Sequence, residues 1–448
     1  MHKIIYEKPT EKNIVDTIKY ILDYKRNQFD HIEAHVQKKQ GMYVSVRNLN
    51  IENIEFHKDI NIFITVYIKN KKGSVTSSDL SMDSINKLLL KAINIASYST
   101  YDKYANIPNY DLVSYFPKKL KTFFNYSLDA DYGINLALQS EQSALSYNKK
   151  ITNSEGSSFS SSVNTIVFGS SAGIIKDYSF TSSSIFSEII AKDKNGMQRD
   201  CYYSLSKDIN DLENPQKIGI KSAQRALLKL SPIKLHSTKL PIILTADLSS
   251  MVLNEFAKAI YGKNVYSSTT FLLSMMQKQV FPLWLNIIED PYLKKGIGSH
   301  PFDLEGVSSK YQIIVKNGYL NTWLLDHYSA NRLNLITTGH CGGISNWIIK
   351  VQDTNLNFQR LMNSMSTGLF ITELMGSGVN IVTGDFSYGA SGFFIQNGEI
   401  QHAVSEITIS GNLKDMFLNI INISNDINIK NKIQTGSILF EQVHISGI

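Results

Sequence analysis

The glycine-rich last third of this chain is the feature that most restricts how it can fold. Residues 337–411 contain 11 of the 26 glycines, whereas the 336 residues before them contain 13. Glycine accepts positive φ and lets a backbone or ligand approach closely, so the cluster predicts tight turns or a surface shaped around something bound. The pairs Asn317-Gly318 and Asn397-Gly398, each between apolar runs, predict hairpin turns. We therefore expect function, or an interface that serves it, to be concentrated here.

Length and segment composition indicate three regions. A chain of 448 residues is long enough for two or three domains with substantial cores. A polar, Tyr- and Asn-rich connection runs to about residue 125, and a strand beginning at Leu240 opens the third region. We predict an α+β fold, with a small N-terminal α/β domain at 1–110, a β-rich middle domain at 125–232 and a larger, mainly antiparallel-β C-terminal domain at 238–448.

The first region alternates helix and strand patterns. One helix is expected to begin near Thr10 and another to be capped by Ser81. Between them we predict two separate strands, HIEAHVQ and GMYVSVRN, and a hairpin that joins NIFITVYI to GSVTSSDL. The apolar faces of the two helices are Ile14, Ile18, Ile21 and Leu22 in the first, and Ile85, Leu88, Leu89, Ala92 and Ile93 in the second.

The sequence predicts three more helices. One runs from 129 to 147, one from 214 to 229, and one is capped by Asp247 and stopped by Gly262. The serine runs between the first two of these helices alternate with Ile, Val and Phe. That alternation favours half-exposed antiparallel strands over a phosphorylated or disordered segment.

Charge and cysteine content exclude several classes of function. The net charge is +6, but the lysines are scattered, and no helix is basic and amphipathic enough to enter a groove, so we expect no nucleic-acid partner. No uncharged apolar run approaches about 18 residues, and the first residues lack a signal-peptide core, so we expect no membrane partner. Two cysteines, Cys201 and Cys341, cannot form a disulfide framework. The expected location is the cytoplasm.

Local motifs for metal binding or nucleophilic catalysis are weak. His31 and His35 lie four residues apart in a predicted strand, about 13 Å by strand rise, which is too far for one metal ion. His340 and Cys341 are adjacent on a glycine turn and superficially suggest a thiol enzyme. Sequence neighbours usually point in different directions, however, and an isolated cysteine is more often a small buried apolar residue.

Polar residues on the glycine-rich turns form the remaining candidate set. Each alone is typical of a turn stabiliser or a surface group, but together they indicate a polar cleft or a surface that contacts substrate or partner. The residues are His340, Asn346, Glu373, Asp385 and Tyr388, with Glu399 and Glu406 nearby.

Several long segments, in this order, resemble a known family. They are VYSSTTFLL, KQVFPLWLNIIEDPYLKKGIGSHPFDLEGV, NTWLLDHYSANRLNL, TTGHCGGISNW, TGLFITELMGSGVNIVTGDFSYGASGFFIQNGEI and SEITISGNLKDM. They look like the C-terminal half of PmbA-type (TldE-type) members of the TldD/PmbA family, peptidase family U62, once called modulators of DNA gyrase. The resemblance covers nearly the whole chain. It implies a cytoplasmic bacterial protein that pairs with a TldD-like catalytic subunit in a zinc metallopeptidase acting on small or unfolded peptides.

This chain departs from the catalytic pattern that the resemblance implies. Catalytic subunits are expected to carry His-Glu-x-x-x-His on a helix early in the third region and a cysteine near the C-terminus. Here Asn254 and Ala259 occupy the histidine positions, and Thr435 occupies the cysteine position. Only Glu255 remains, and we interpret it as an exposed helix residue, with a remnant of the motif as the alternative. A zinc site needs three N, S or O ligands, so the resemblance implies zinc in the partner subunit and none in this non-catalytic chain.

Two other functions stay open. One is an independently active metallopeptidase with an unorthodox site. The other is a non-enzymatic regulator that binds another protein, in keeping with the gyrase-modulator description. Stoichiometric zinc in the isolated chain would favour the first, and a tight complex without peptidase activity would favour the second. The residues available to an unorthodox site are His300, His327 and His340 with Asp303, Asp326 and Asp385.

Overall fold

The computed structural model of the chain describes residues 3–6, 12–113, 117–351, 353–376 and 378–448. The helices of the described residues are α1 Lys12–Asp23, α2 Met82–Tyr98, α3 Ala130–Leu145, α4 Pro215–Leu228, α5 Ala246–Ala259, α6 Gly262–Tyr266, α7 His327–Leu333, α8 Phe358–Met365 and α9 Leu413–Leu418. Within these residues, no helix has both the length and the apolar character needed to span a membrane.

The strands divide between the two halves of the chain. Those of the first half are β1 Lys3–Tyr6, β2 His31–Arg47, β3 Asn50–Ile68, β4 Lys71–Ser77, β5 Tyr126–Asp129, β6 Ile151–Ser170, β7 Ile174–Asp193 and β8 Gly196–Ser206. Those of the second half are β9 Thr238–Leu244, β10 Asn286–Glu289, β11 Gln312–Lys316, β12 Tyr319–Leu320, β13 Trp347–Lys350, β14 Gly368–Met375, β15 Asp385–Gln396, β16 Glu399–Asn412, β17 Ile420–Ile423, β18 Ile433–Gln434 and β19 Ile438–Ser446.

A six-stranded antiparallel sheet, in the order β4-β3-β2-β6-β7-β8, dominates the first half. The prediction of two strands within 31–47 is wrong, because the polar Lys38–Gln40 segment stays paired with β3 and β6, and β2 is continuous. Backbone pairing does not depend on side-chain polarity, so the polar break in the pattern did not break the strand. Because β2 and β6 belong to different predicted domains, these domains share one sheet, and the boundary between them stays a prediction.

The helices of the first half bury the faces that the sequence predicts. Ser81 caps α2 by accepting a hydrogen bond from the Ser84 amide. The apolar residues of α1 and α2 pack on the β2–β3 end of the sheet, and α3 and α4 cover β6–β8. Thr10, near which the first helix is predicted to begin, lies outside the described residues.

The serine-rich strands have one buried face. Alternating buried and partly exposed residues along β7 confirm the predicted antiparallel strands. Several serines lie on the buried face. Ser157 bonds to Ser187 and Ser161 to Ser183, each at 2.9 Å, so the hydroxyl groups satisfy one another across the two strands.

Two mainly antiparallel sheets build the second half, which confirms the predicted α+β class. Their orders are β12-β11-β10-β13-β18 and β16-β15-β14-β9-β19-β17, with parallel pairing only at β13–β18 and β14–β9 among the described strands. Both predicted Asn-Gly turns are present, and all four residues have positive φ, as a two-residue hairpin requires. The principal core lies between the two sheets, and α5 crosses it.

Candidate functional site

Helix α5 follows β9 directly and carries the positions at which the resemblance implies a metal motif. Its N-cap is Thr245, whose hydroxyl accepts a hydrogen bond from the Leu248 amide at 3.4 Å, so the predicted cap at Asp247 is wrong. The prediction missed Thr245 because both residue types are good caps and only the chain geometry selects one. Asp247 instead lies in the first turn, where its negative charge stabilises the helix by interacting with the positive end of the helix dipole.

One face of α5 forms the wall of a cavity of about 380 Å³, which we call the α5 cleft. Its helical lining residues are spaced by three and four positions and therefore share one side of the helix. The opposite wall is the glycine turn at 342–343, where both residues have positive φ and a side chain at Gly342 would collide with Leu304. The cleft is lined by Asp247, Ser250, Met251, Asn254, Tyr261, Gly342, Gly343, Ile344, Asn431, Lys432 and Ile433.

Glu255 is buried, so its interpretation as an exposed helix residue is wrong. The residue is 8% exposed, and its carboxylate accepts a hydrogen bond from the Lys258 ammonium at 2.7 Å. Residue 255 is turned about 100° from Asn254 around the helix axis. The carboxylate is therefore engaged by a neutralising cation one turn away, an arrangement that does not suit a proton-transfer group.

The side chains at the implied ligand positions do not fit a zinc site. Asn254 faces the α5 cleft, but Ala259 is fully buried in the core and has no donor atom. Thr435 follows β18, which packs against α5, so the fold brings this position close to the helix. Its hydroxyl is buried and donates to the Gly436 carbonyl at 3.1 Å. An amide, a methyl and a neutral hydroxyl do not match the imidazole, thiolate and carboxylate ligands that zinc requires.

His340 supports the glycine turn. Its Nε2 lies 2.6 Å from a Glu289 carboxylate oxygen, and its Nδ1 lies 2.8 Å from the Thr338 hydroxyl. Although burial opposes ionisation of Glu289, hydrogen bonding and the charge of His340 hold the pKa of that carboxyl below its usual value. The second oxygen of Glu289 accepts from the Ser345 amide at 2.6 Å. This network anchors both ends of the turn that forms the cleft wall.

Cys341 lies beside carboxylates rather than beside an activating base. Burial and then the charges of Glu305 and Asp303 raise the pKa of the Cys341 thiol well above its usual value. The neighbouring His340 ring is bonded to Glu289. Cys341 is therefore a protonated thiol at neutral pH, which weakens the thiol-enzyme interpretation.

The other predicted surface residues do not converge on one place. Asn346 is fully buried, and its amide joins the Gly298 loop to the strands beside it. Glu373, which lies on β14, forms an ion pair with Lys229 at 2.8 Å. Asp385 is exposed and accepts from Thr383 at 2.6 Å. The remaining residues of the set are Tyr388, packed in the core beside Phe386, and the exposed Glu399 and Glu406.

The candidate histidines for an unorthodox metal site each form a hydrogen bond with a different partner. His300 bonds to the Gly298 carbonyl at 2.8 Å, and burial lowers its pKa. His327 bonds to the Asn106 side chain at 2.6 Å. Across the described ranges, no three His, Cys, Asp or Glu side chains lie close enough together to hold a metal ion.

Two lysines beside the α5 cleft are features that sequence reasoning missed. Lys207 and Lys432 line a second cavity of about 240 Å³, which shares Gly342, Ile344 and Lys432 with the cleft. Lys207 follows β8 and precedes Asp208, a pattern typical of a surface turn. No signal in the sequence indicates that it is 2% exposed.

Comparison with known families covers nearly the whole chain. The family described as PmbA/TldA metallopeptidase domain 1 matches residues 33–96, its central domain matches 125–230, and its C-terminal domain matches 237–447.

Relatives and solved structures agree with these matches. The chain is 43% identical to "Metalloprotease PmbA homolog" of Buchnera aphidicola (Acyrthosiphon pisum, strain APS), over 98% of each chain. It is 42% identical to "Metalloprotease PmbA" of Escherichia coli O157:H7, over 99% of each. A putative modulator of DNA gyrase from Bacteroides thetaiotaomicron has the same fold, with a TM-score of 0.90 at 23% identity, covering 98% of this chain and 100% of the other. TldE from Thermococcus kodakarensis also has this fold, with a TM-score of 0.81 at 17% identity, covering 98% of this chain and 100% of the other. The chain belongs to the PmbA/TldD metallopeptidase family.

Proposed function

We propose that this chain is the non-catalytic, PmbA-type subunit of a cytoplasmic peptidase complex, and that a TldD-like partner carries the zinc and the catalytic residues. The observation that supports the proposal is the set of side chains that α5 carries at the implied metal-binding positions. The helix lines a cleft, but its glutamate is neutralised by Lys258, and Asn254 and Ala259 occupy the positions of the two histidines. These side chains support a subunit that contributes a cleft to the complex while its partner contributes the metal-binding residues.

The chain's own residues would shape access of peptides to the complex. The α5 cleft offers the polar side chains of Ser250 and Asn254 opposite the glycine turn. A peptide backbone needs such donors and acceptors along its length. In the partner subunit, zinc would polarise the scissile carbonyl and activate water.

The outer edge of β3 is a suitable surface for the partner. In the described part of the sheet, β4 pairs with β3 only from Ile62 onward, so residues 50–61 present an edge without a neighbouring strand. Ile51 and Ile54 on this edge are 53% and 41% exposed. An open edge with exposed apolar residues is a template for pairing with another chain.

Zinc content separates this proposal from an independently active enzyme. We expect elemental analysis to find zinc, and chelator-sensitive peptide cleavage, in the partner and in the mixed complex but not in the purified chain alone. The three samples should be assayed at matched protein concentration with the same unstructured peptide. About one zinc per isolated chain, together with cleavage, would overturn the proposal.

Replacing Ile54 by lysine is expected to weaken association with the TldD-like partner at least about tenfold, because a charge would be desolvated at the paired edge. Sedimentation or calorimetric titration of the two subunits measures the effect. Ile400→Lys is the matched control, since Ile400 is 40% exposed on another sheet. Equal weakening by both variants, or by neither, would exclude the β3 edge as the interface.

A further inference from the structure

The second cavity beside the α5 cleft contains two lysines, Lys207 and Lys432, that form no ion pair with the residues that the structure describes. We call it the two-lysine pocket. The Lys207 ammonium lies over the Phe180 ring at 4.0 Å, and no Asp or Glu pairs with it among the residues that the structure describes. Lys432 donates to the Ile344 carbonyl at 3.4 Å and also makes no ion pair there. Lys207 is buried, whereas Lys432 is exposed. A buried ammonium such as that of Lys207 is costly without a counter-charge, which indicates that an anion completes the site.

The ionisation of Lys207 agrees with this geometry. Burial and then the charge of Lys432 lower the pKa of Lys207 to about 7. Lys207 is therefore partly charged near neutral pH, and an anion would draw it fully into the charged form.

Asp303 also lines the pocket and must be accounted for. Its oxygens accept hydrogen bonds from the amides of Glu305, Val307 and Cys341 at 2.9–3.0 Å, so they are directed at backbone. Burial raises the pKa of Asp303 to about 7 despite these bonds. At slightly acidic pH the residue is largely neutral, and the lysines then dominate the charge of the pocket.

One part of the pocket wall is aromatic and aliphatic, although Gln37, Ser299 and His300 also line the pocket. Tyr178 and Phe180 come from β7, and Phe302 packs edge-on against Tyr178 with ring centroids 5.2 Å apart. The aromatic walls therefore suit an apolar group attached next to the anion. A phosphate, in contrast, is typically held by several backbone amides or by arginine, and no arginine lines this pocket in the described ranges.

We propose that the two-lysine pocket binds the C-terminal carboxylate of a peptide that ends in an apolar residue. The pocket shares Gly342, Ile344 and Lys432 with the α5 cleft, so a peptide lying along the cleft can place its end between the two lysines. This inference rests on the proposed function, since it identifies the class of peptide that this chain would present to the partner.

The test uses the full chain alone with N-acetyl-leucine and N-acetyl-leucinamide as probes, titrated calorimetrically at pH 6.5. We expect the acid to bind at least about tenfold more tightly than the amide, and Lys207→Met and Lys432→Met each to remove that preference. Lys234→Met is the matched control, because Lys234 is a surface lysine paired with Glu406 at 2.6 Å. Thermal unfolding and circular dichroism of each variant establish that it is folded.

Equal binding of acid and amide, no binding of either, or an unchanged preference in both folded lysine variants would overturn the proposal. Inorganic phosphate is titrated in the same way, and tighter binding of phosphate than of N-acetyl-leucine would also overturn it. The measurement needs neither zinc nor partner. Failure of the proposed subunit role would therefore leave the result of this titration intact, and its own failure would leave the zinc assay intact.

Discussion

Replacing Phe256 by alanine is expected to lower the free energy of unfolding of the second half of the chain by about 3–5 kcal/mol. Phe256 is fully buried on the core side of α5, with its ring 4.8 Å from Phe281, 5.7 Å from Phe417 and 6.2 Å from Trp347, centroid to centroid. Truncation removes these aromatic contacts and leaves a cavity that the surrounding sheets cannot fill, because strand pairing holds them apart. The cleft wall on the opposite side of α5 should loosen with it.

Tryptophan fluorescence during denaturant unfolding measures this change, because the three tryptophans, Trp284, Trp323 and Trp347, all lie in the second half of the chain. Tyr319→Ala is the control, since Tyr319 is an aromatic residue of the same region but is 42% exposed. Its replacement should change the free energy of unfolding by less than about 1 kcal/mol. Similar losses in the two variants would show that burial of Phe256 in this core is not the main source of stability.

Raising the pH from about 5 to about 8.5 is expected to destabilise the contact between the first sheet and the loop at 303–305. Glu33 on β2 faces Asp303 and Glu305 of this loop. Burial and then the nearby carboxylates raise the pKa of Glu33 and of Glu305 from 4.5 to about 8, and burial raises the pKa of Asp303 from 3.8 to about 7. The hydrogen bond from the Tyr67 hydroxyl to Glu33, at 3.2 Å, does not offset this burial.

The direction of this pH effect follows from the numbers of protons that the folded and unfolded states bind. Each of these carboxyls has a higher pKa in the folded protein, so the folded state binds more protons than the unfolded state between pH 4 and 8. The stability that these carboxyls contribute is therefore fully present below the ordinary carboxyl pKa, declines as pH rises through this window, and is lost above about 8. Each titrating group contributes up to about 1.4 kcal/mol per pH unit.

The double variant Glu33→Gln/Glu305→Gln should flatten this pH dependence, because amides keep the shape of the carboxyls and do not ionise. Denaturant midpoints from tryptophan fluorescence at pH 5.5, 7.0 and 8.5 measure it, with Glu399→Gln at an exposed position as the control. A slope that is unchanged in the double variant would contradict the assignment of the pH dependence to this cluster.

Local patterns were sufficient for much of the fold. The apolar faces of α1 and α2, the cap Ser81 and the two Asn-Gly turns depend on neighbours within a few residues, and the structure contains them all. The continuity of β2 was missed because its pairing with β3 and β6 is non-local. The sequence analysis missed Thr245 as the cap of α5 because the position of the cap depends on where β9 ends and on the backbone geometry between the strand and the helix.

For the candidate site, the amino-acid sequence is enough to identify the chemical groups that are present. Asn254, Ala259 and Thr435 are not a zinc ligand set in any fold, since ligand capacity belongs to the side chain. Tertiary structure alone decided which groups meet. It paired Glu255 with Lys258, joined His340 to Glu289 across 51 positions, and buried Lys207 beside Lys432. The physical reason is that burial and electrostatic coupling depend on distances in space, which a chain of 448 residues sets only when its sheets have packed.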